Sequence, residues 1–231
     1  MLLVLNCLVK DEYAAVTDKM LFNQIKDNSE KYKTLRIAQL EKIPDLKPYT
    51  KLIISGSEAS VTDDNSWDSI LSDIIMNFIN REKPVLGICY GHQFIVKSVL
   101  GSNSLRKSNT PEFGWAKINI NIQDNFIFKD LKQKNLYSMV SHYDEVYNLN
   151  DDFNVIAGTD NCSIHSFQYK KLPVWGVQFH PEFDDIAETQ KTFDEIEIID
   201  PSIKKHFYND INSNERLLEQ NKNIIKTFLS I

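Results

Sequence analysis

The chain opens on a short, near-continuous apolar run, Met1-Leu-Leu-Val-Leu-Asn-Cys-Leu-Val9. Such a run without alternation suits a strand buried on both faces, as in a parallel sheet. Lys33 to Gln39 is a second, weaker strand, and Lys51-Leu-Ile-Ile-Ser55, ending at Gly56, is a third. Between the first two, Glu12 to Asn28 has helical spacing at Tyr13, Val16, Met20 and Leu21. Ser66 to Arg81 is the clearest amphipathic helix. Its Ile70, Leu71, Ile74, Ile75, Phe78 and Ile79 share one face, and Ser66 or Asp64 is placed to cap it. Pro84-Val-Leu-Gly-Ile88 predicts a fourth strand, and Gln93 to Leu100 a helix stopped by Gly101.

The second half changes period. Trp115, Lys117, Asn119 and Asn121 alternate with Ala116, Ile118, Ile120 and Ile122, a strand with one wet face. Leu136 to Val140, Phe153 to Gly158, Ser163 to Tyr169 and Val174 to Phe179 predict further strands, and Ser213 to Ile231 a closing helix. Strand and helix alternating first, then successive strands, predict an α/β fold. The expected architecture is an open, mostly parallel central sheet flanked by helices, with a smaller antiparallel sheet in the second half. No linker or repeat divides residues 1–231, so a single domain is expected. The segment 184–214 carries Phe193, Ile196, Ile198, Ile199, Phe207 and Tyr208, too apolar for a solvated tail. It is expected to be a helical insertion near the active site, broken by Pro201.

Composition removes whole classes. Of 231 residues, 42% are hydrophobic, enough for a core, and Lys+Arg 26 against Asp+Glu 32 leaves a net charge of -6. A mildly acidic chain has no electrostatic footprint for nucleic acid. No apolar run is long enough for a bilayer, so no membrane is expected. The three cysteines, Cys7, Cys89 and Cys162, are no disulfide framework, and no cysteine or histidine pair has zinc-site spacing. The expectation is a cytoplasmic protein without a metal.

Two segments carry chemistry. In Val85-Leu-Gly-Ile-Cys-Tyr-Gly-His-Gln93 an apolar strand runs into Cys89 between glycines, and a helix follows. This is the nucleophile-elbow pattern with cysteine for serine. The helix N-terminus behind the sulfur favours the thiolate. The plain alternative is a buried structural cysteine between helix and sheet. In Gly176-Val-Gln-Phe-His-Pro-Glu182 a strand delivers His180, Pro181 stops the ladder, and Glu182 can turn back onto the imidazole. A nucleophile, a base and an orienter are then all available.

Together, Gly87-Ile-Cys-Tyr-Gly-His-Gln93 and Gly176-Val-Gln-Phe-His-Pro-Glu182 resemble the class I (triad) glutamine amidotransferases. The match is closest to the glutaminase domain of GMP synthetase and to the gamma-glutamyl peptidases, and covers roughly residues 50 to 183. The resemblance implies Cys89, His180 and Glu182 as the triad. Ile53-Ile-Ser-Gly-Ser-Glu-Ala-Ser-Val61 resembles the oxyanion loop, usually Ser-Gly-Gly-Pro-x-Ser-Val, and places the oxyanion N–H groups on Ser57 and Tyr90, with Gly56 beside the substrate. Ser57 stands for glycine and Glu58 for proline, which predicts strain if Ser57 needs a positive φ. Ser141-His-Tyr-Asp-Glu-Val146 resembles the Ser-His-x-Asp segment and implies substrate contacts at Ser141, His142 and Tyr143, with another at Gln93. Glu112-Phe-Gly-Trp-Ala-Lys117 resembles a structural segment, and His92, His165 and His206 have no visible constellation.

The implied reaction is acyl transfer from glutamine or a γ-glutamyl compound to water, through a γ-glutamyl thioester on Cys89, with no cofactor. Two alternatives accompany it. The chain can be a glutaminase subunit supplying ammonia to a separate ATP-dependent synthetase such as GMP synthetase, since it has no phosphate-binding glycine loop of its own. It can also be a catalytically silent binding module on the same fold.

Overall fold

A computed structural model describes residues 1–26, 31–121, 125–183, 185–209 and 219–231. The ends of three expected elements (Asn28, Ile122 and residues 213–218) lie outside the described residues, as do Asp184 and 210–214 of the expected insertion.

The first half is β1 (Leu2–Asn6), α1 (Asp11–Lys26), β2 (Tyr32–Arg36), β3 (Lys51–Ile54), α2 (Asp68–Asn80), β4 (Val85–Ile88) and α3 (Tyr90–Leu100). The second is β5 (Leu105–Ile120), β6 (Asn135–Val146), β7 (Phe153–Gly158), β8 (Ser166–Tyr169), β9 (Val174–Val177), α4 (Ile186–Ile199), β10 (Phe207–Asn209) and α5 (Glu219–Leu229). A single mixed sheet runs β10-β5-β7-β8-β9-β4-β3-β1-β2, with β6 paired to β5. The strands β9, β4, β3, β1 and β2 are parallel to their neighbours in that order, and the antiparallel strands join them through the β8–β9 pair.

The apolar run of β1 is buried throughout because helices cover both faces. Leu3 and Leu5 pack with α2 and α3 (Leu71, Ile75, Phe94, Ile95), while Leu2 and Val4 pack with α1 and α5 (Leu21, Ile25, Ile225, Phe228). Successive side chains of a strand point to opposite faces, so each half of the run feeds a different core.

Sequence and structure differ at several places, each for a local reason. Neither Ser66 nor Asp64 caps α2; Trp67 is its N-cap and makes no side-chain cap bond. The α3 helix starts at Tyr90 rather than Gln93, because the turn of the elbow is itself the first helical turn. The expected wet face of β5 holds at Lys117 and Asn119, but Trp115 is buried against Met20, Phe183 and Phe193, where α4 lies over the sheet. The described residues of the 184–214 segment form α4, a 3-10 turn over Pro201–His206 after Asp200, and then not helix but the strand β10, paired with β5. No helix among the described residues is long and apolar enough to cross a membrane.

Candidate active site

Three neighbouring parallel strands end side by side. Ile54 of β3 pairs with Gly87 of β4, and Gly87 with Gly176 of β9. The residues just beyond their carboxyl ends, Ser55 to Ser57, Cys89 and Gln178 to His180, therefore meet in one crevice. Ligands of open α/β sheets bind at that edge.

Cys89 sits at the sharpest point of the turn, with φ 49 and ψ -101. This costs a non-glycine residue about 1–3 kcal/mol, and the surroundings have to enforce it. They do so by close packing. The Cys89 N–H donates to the Val177 carbonyl at 2.8 Å, and Gly91 N–H to the Ser55 carbonyl at 3.2 Å. A Cβ on Gly87 would lie 2.4 Å from the Gly91 carbonyl oxygen, and one on Gly91 would lie 2.5 Å from that of Ile54. Both glycines are needed for helix and strand to approach this closely. The strain expected at Ser57 is absent: among the described non-glycine residues only Leu40, Glu82, Cys89 and Lys170 have positive φ. Ser57 instead donates its hydroxyl to the Cys7 carbonyl at 2.7 Å and accepts from Ala59 N–H. Glu58, in the place of proline, accepts from the N–H groups of Val9 and Lys10 at 3.0 and 2.7 Å, tying the loop to the start of α1.

His180 is held by its backbone, whose N–H donates to the Met139 carbonyl of β6 at 2.8 Å. Its Nδ1 lies 2.8 Å from Glu182 Oε1, and its buried Nε2 has no hydrogen-bond partner. Burial works against a charged imidazole here. The Glu182 carboxylate and the Cys89 sulfur outweigh it and push the His180 pKa up to about 10. Gln24 of α1 donates to the Pro181 and Glu182 carbonyls at 2.9 and 3.3 Å, fixing the turn from outside. Cys89 Sγ lies 3.7 Å from the Ser141 carbonyl and 3.5 Å from Gln178 Nε2.

A cleft of about 490 Å³ opens over these groups. Gly56, Ser57, Cys89, His180 and Glu182 line its floor, and Ser141, His142, Tyr143 and Gln93 one wall. Gly56 leaves room for the imidazole, since a Cβ there would stand 3.0 Å from His180 Cε1. Gln93 is turned into a brace: its Nε2 donates to the Asp144 carbonyl at 2.7 Å and to Gln178 Oε1 at 3.1 Å. The His142 ring is committed to Glu112 and to the Asp144 carbonyl, at 3.0 and 3.1 Å. The carboxylate that holds the His142 ring is Glu112, at the facing position of β5; Asp144, two residues on, offers the ring only its backbone carbonyl. His165 likewise gains a constellation, on the same carboxylate.

Sequence reasoning missed several cleft residues. Gln178, buried beneath the cleft with its Nε2 on the Cys89 sulfur, was legible within the histidine motif. Asp144 anchors the floor loop, accepting from Ser60 Oγ at 2.5 Å and Val61 N–H at 3.0 Å. Lys10, Tyr13, Val16 and Thr17 come from before and within α1, and Thr192, Glu195, Ile196 and Ile199 from α4; together they form the rim. Tyr143 donates to Asp200 at 2.6 Å, joining β6 to the end of α4. The other cysteines are buried, and burial raises the thiol pKa of both Cys7 and Cys162.

Comparison with known proteins agrees with this fold. The family model "Glutamine amidotransferase class-I" matches residues 8–198. A GMP synthase [glutamine-hydrolyzing] of Phocaeicola vulgatus is 34% identical over 157 residues, 64% of this chain and 29% of that protein. The chain thus spans under a third of that relative's length. In Pyrococcus furiosus the relative is one subunit of a GMP synthase [glutamine-hydrolyzing], 34% identical over 151 residues, 65% of this chain and 73% of that one. A crystal structure of a glutamine amidotransferase of Thermotoga maritima superposes with a TM-score of 0.73 at 19% identity, covering 99% of this chain and 96% of that one, a likeness of fold.

Proposed function

Because the chain belongs to the class I glutamine amidotransferase family, we propose that it hydrolyses the γ-amide of glutamine or of a γ-glutamyl compound with Cys89, His180 and Glu182 as its triad. The observation that carries this reading is His180: Nδ1 is held by Glu182, while Nε2 is buried without a partner beside the strained Cys89. An imidazole oriented on one edge and open on the other is what a general acid–base needs.

The Cys89 thiolate attacks the γ-carbonyl carbon, forming the C–S bond, and the carbonyl electrons move to oxygen. The backbone N–H groups of Ser57 and Tyr90 receive that oxyanion, Tyr90 at the positive end of α3. His180 gives its Nε2 proton to the departing nitrogen, and ammonia or an amine leaves a thioester. Water then adds to the thioester while His180 takes its proton; the C–S bond breaks and glutamate departs. Gly56, Ser141, His142 and Tyr143 offer backbone contacts for the amino-acid end, and Gln93 supports that wall. The 184–214 segment contributes the α4 rim and selects the leaving group.

The test is glutamate release from glutamine and from a γ-glutamyl dipeptide, paired with a glutamine-like electrophile and peptide mass spectrometry. One adduct on Cys89, with turnover of either substrate, supports the proposal. Labelling confined to Cys7 or Cys162, or a folded protein that neither turns over nor labels, rejects it and favours the silent module.

A second reading has its own support. The Pyrococcus furiosus relative is named as one subunit of its enzyme, and exposed Ile199 and Tyr143 line the cleft, with exposed Ile198 next in the chain. On this reading ammonia passes to a separate synthetase chain. Glutamine turnover that is slow alone and rises when cell extract and ATP are added favours it over the free-standing hydrolase.

A further inference from the structure

Behind the β6 wall lies a second cluster, whose side chains the proposed chemistry does not use. Glu112 of β5, His142 of β6, and Cys162 and His165 of the β7–β8 connection are all buried, and one donor atom from each lies within 4.8 Å of every other. Glu112 Oε2 is 3.0 Å from His142 Nε2 and 2.6 Å from His165 Nε2. We propose that these four side chains bind one Zn²⁺ ion in a closed structural site.

The protonation pattern argues for a cation at that point. His142 Nδ1 faces the Asp144 carbonyl, which only accepts, so Nδ1 carries a proton. In a neutral ring, Nε2 then aims a lone pair at the Glu112 carboxylate, an acceptor facing an acceptor. Either a second proton on His142 or a metal ion between the groups removes this conflict. Cys162 favours the metal: a thiol adds nothing to a proton-bridged pair, but completes an S, N, N, O donor set. Thiolate, imidazole and carboxylate are all zinc ligands, and four protein donors close a tetrahedral shell with no open position. Charge agrees, since one thiolate and one carboxylate neutralise a divalent ion inside a dry core.

The outer contacts have the form of a ligand support. Glu112 Oε1 accepts from Thr159 Oγ1 at 2.7 Å and Tyr208 OH at 3.0 Å. Thr159 Oγ1 also accepts from Cys162 N–H at 2.9 Å, and the Asp144 carbonyl orients His142. Bonds of about 2.0–2.3 Å in a tetrahedron set ligand atoms about 3.3–3.7 Å apart. The separations here start at 2.6 Å and all lie within 4.8 Å, so side-chain shifts of about 1 Å complete the site. The ion would tie β5, β6 and the β7–β8 connection together directly behind Ser141 to Asp144.

Tag-free protein from zinc-supplemented cells should retain about one equivalent of zinc through dialysis, as read by elemental mass spectrometry. Refolding with Zn²⁺ should raise the melting temperature over refolding with chelator. Co²⁺ in its place should give a thiolate-to-cobalt charge-transfer band. Cys162→Ala keeps the imidazole–carboxylate contacts; it should lose the band and cut retained metal by about 10-fold or more. Metal-free protein whose melting temperature ignores Zn²⁺ and which shows no cobalt band would overturn the proposal and leave a proton in the ion's place. Full metal retention in folded Cys162→Ala would overturn it too, by moving the metal elsewhere.

Discussion

Two buried histidine–carboxylate groups stand on opposite sides of β6, built from the same chemistry to different ends. In one, His180 meets Glu182 from two residues away, at 2.8 Å, and its other nitrogen is unpartnered at the floor of a cleft. In the other, Glu112 is shared by His142 and His165, drawn from different strands and connections, and all three are sealed from solvent. An imidazole with one edge held and one free can move a proton. An imidazole whose edges are both committed, as in His142, holds structure together. What separates them is access as well as the second nitrogen: His165 also has one unpartnered nitrogen, Nδ1, but it is sealed in the core, whereas His180 faces a cleft.

The comparison breaks most visibly on the reactive side. Removing the nucleophile by Cys89→Ala should cut glutamate release by about 10⁴-fold or more, and His180→Ala by nearly as much, since triad members act as a unit. Circular dichroism should show both variants folded; turnover within tenfold of wild type in either would mean that the reacting groups lie elsewhere. Next, Glu182→Gln keeps the contact but favours the wrong tautomer and withdraws charge from the imidazolium, so turnover should fall by about 10²–10⁴-fold with little loss of fold. Unchanged turnover would assign the orientation of His180 to another group.

The same carboxylate deletion on the enclosed side should register as stability. Glu112→Ala leaves two imidazoles and two hydroxyl donors without their acceptor, and losing one partner of a buried pair costs about 3–5 kcal/mol. For a chain of this size that corresponds to a melting temperature lower by on the order of 10 °C, measured by calorimetry. A shift below a couple of degrees would mean that the cluster is better hydrated than its burial implies.

The finest test is the sign of the pH response. His180, pushed up to about 10, binds its proton more tightly folded than unfolded. Its contribution is complete below the ordinary histidine value near 6.5 and is lost as pH rises from there toward 10. His92, fully buried against Phe167, is pushed the other way, by burial above all, to about 3. The unfolded chain then takes up the proton first, and stability is lost as pH falls from about 6.5 toward 3. Denaturant titrations across pH should show His180→Gln flattening the alkaline limb and His92→Phe the acid limb. The opposite assignment would show that the two environments have been read the wrong way round.

What could be read from the chain divides along the same line. Cys89 in its elbow and His180 beside Glu182 are local patterns, and an apolar strand ending in a turn announces both. The buried parallel strands were equally plain, because burial on both faces leaves an unbroken apolar run. Trp115 was not, since the period of β5 cannot tell that α4 covers one stretch of its outer face. Nor could spacing reveal that Gln93 braces Asp144 and Gln178, or that the cleft rim is shared by α1 and α4.

By itself, then, the sequence determined the alternation of strand and helix, the sharp turn at Cys89 and the histidine–glutamate step, because each rests on contacts within a few residues. The meeting of the two halves of the site was decided by the register of β3, β4 and β9, which brings Ser57, Cys89 and His180 to neighbouring strand ends. The Glu112 cluster was decided by the β5–β6 pairing, which sets Glu112 opposite His142, and by the connection that returns Cys162 and His165 beside them. No spacing along the chain encodes such a group, because hydrogen bonds between strands, not neighbours in sequence, hold its members within reach of one another.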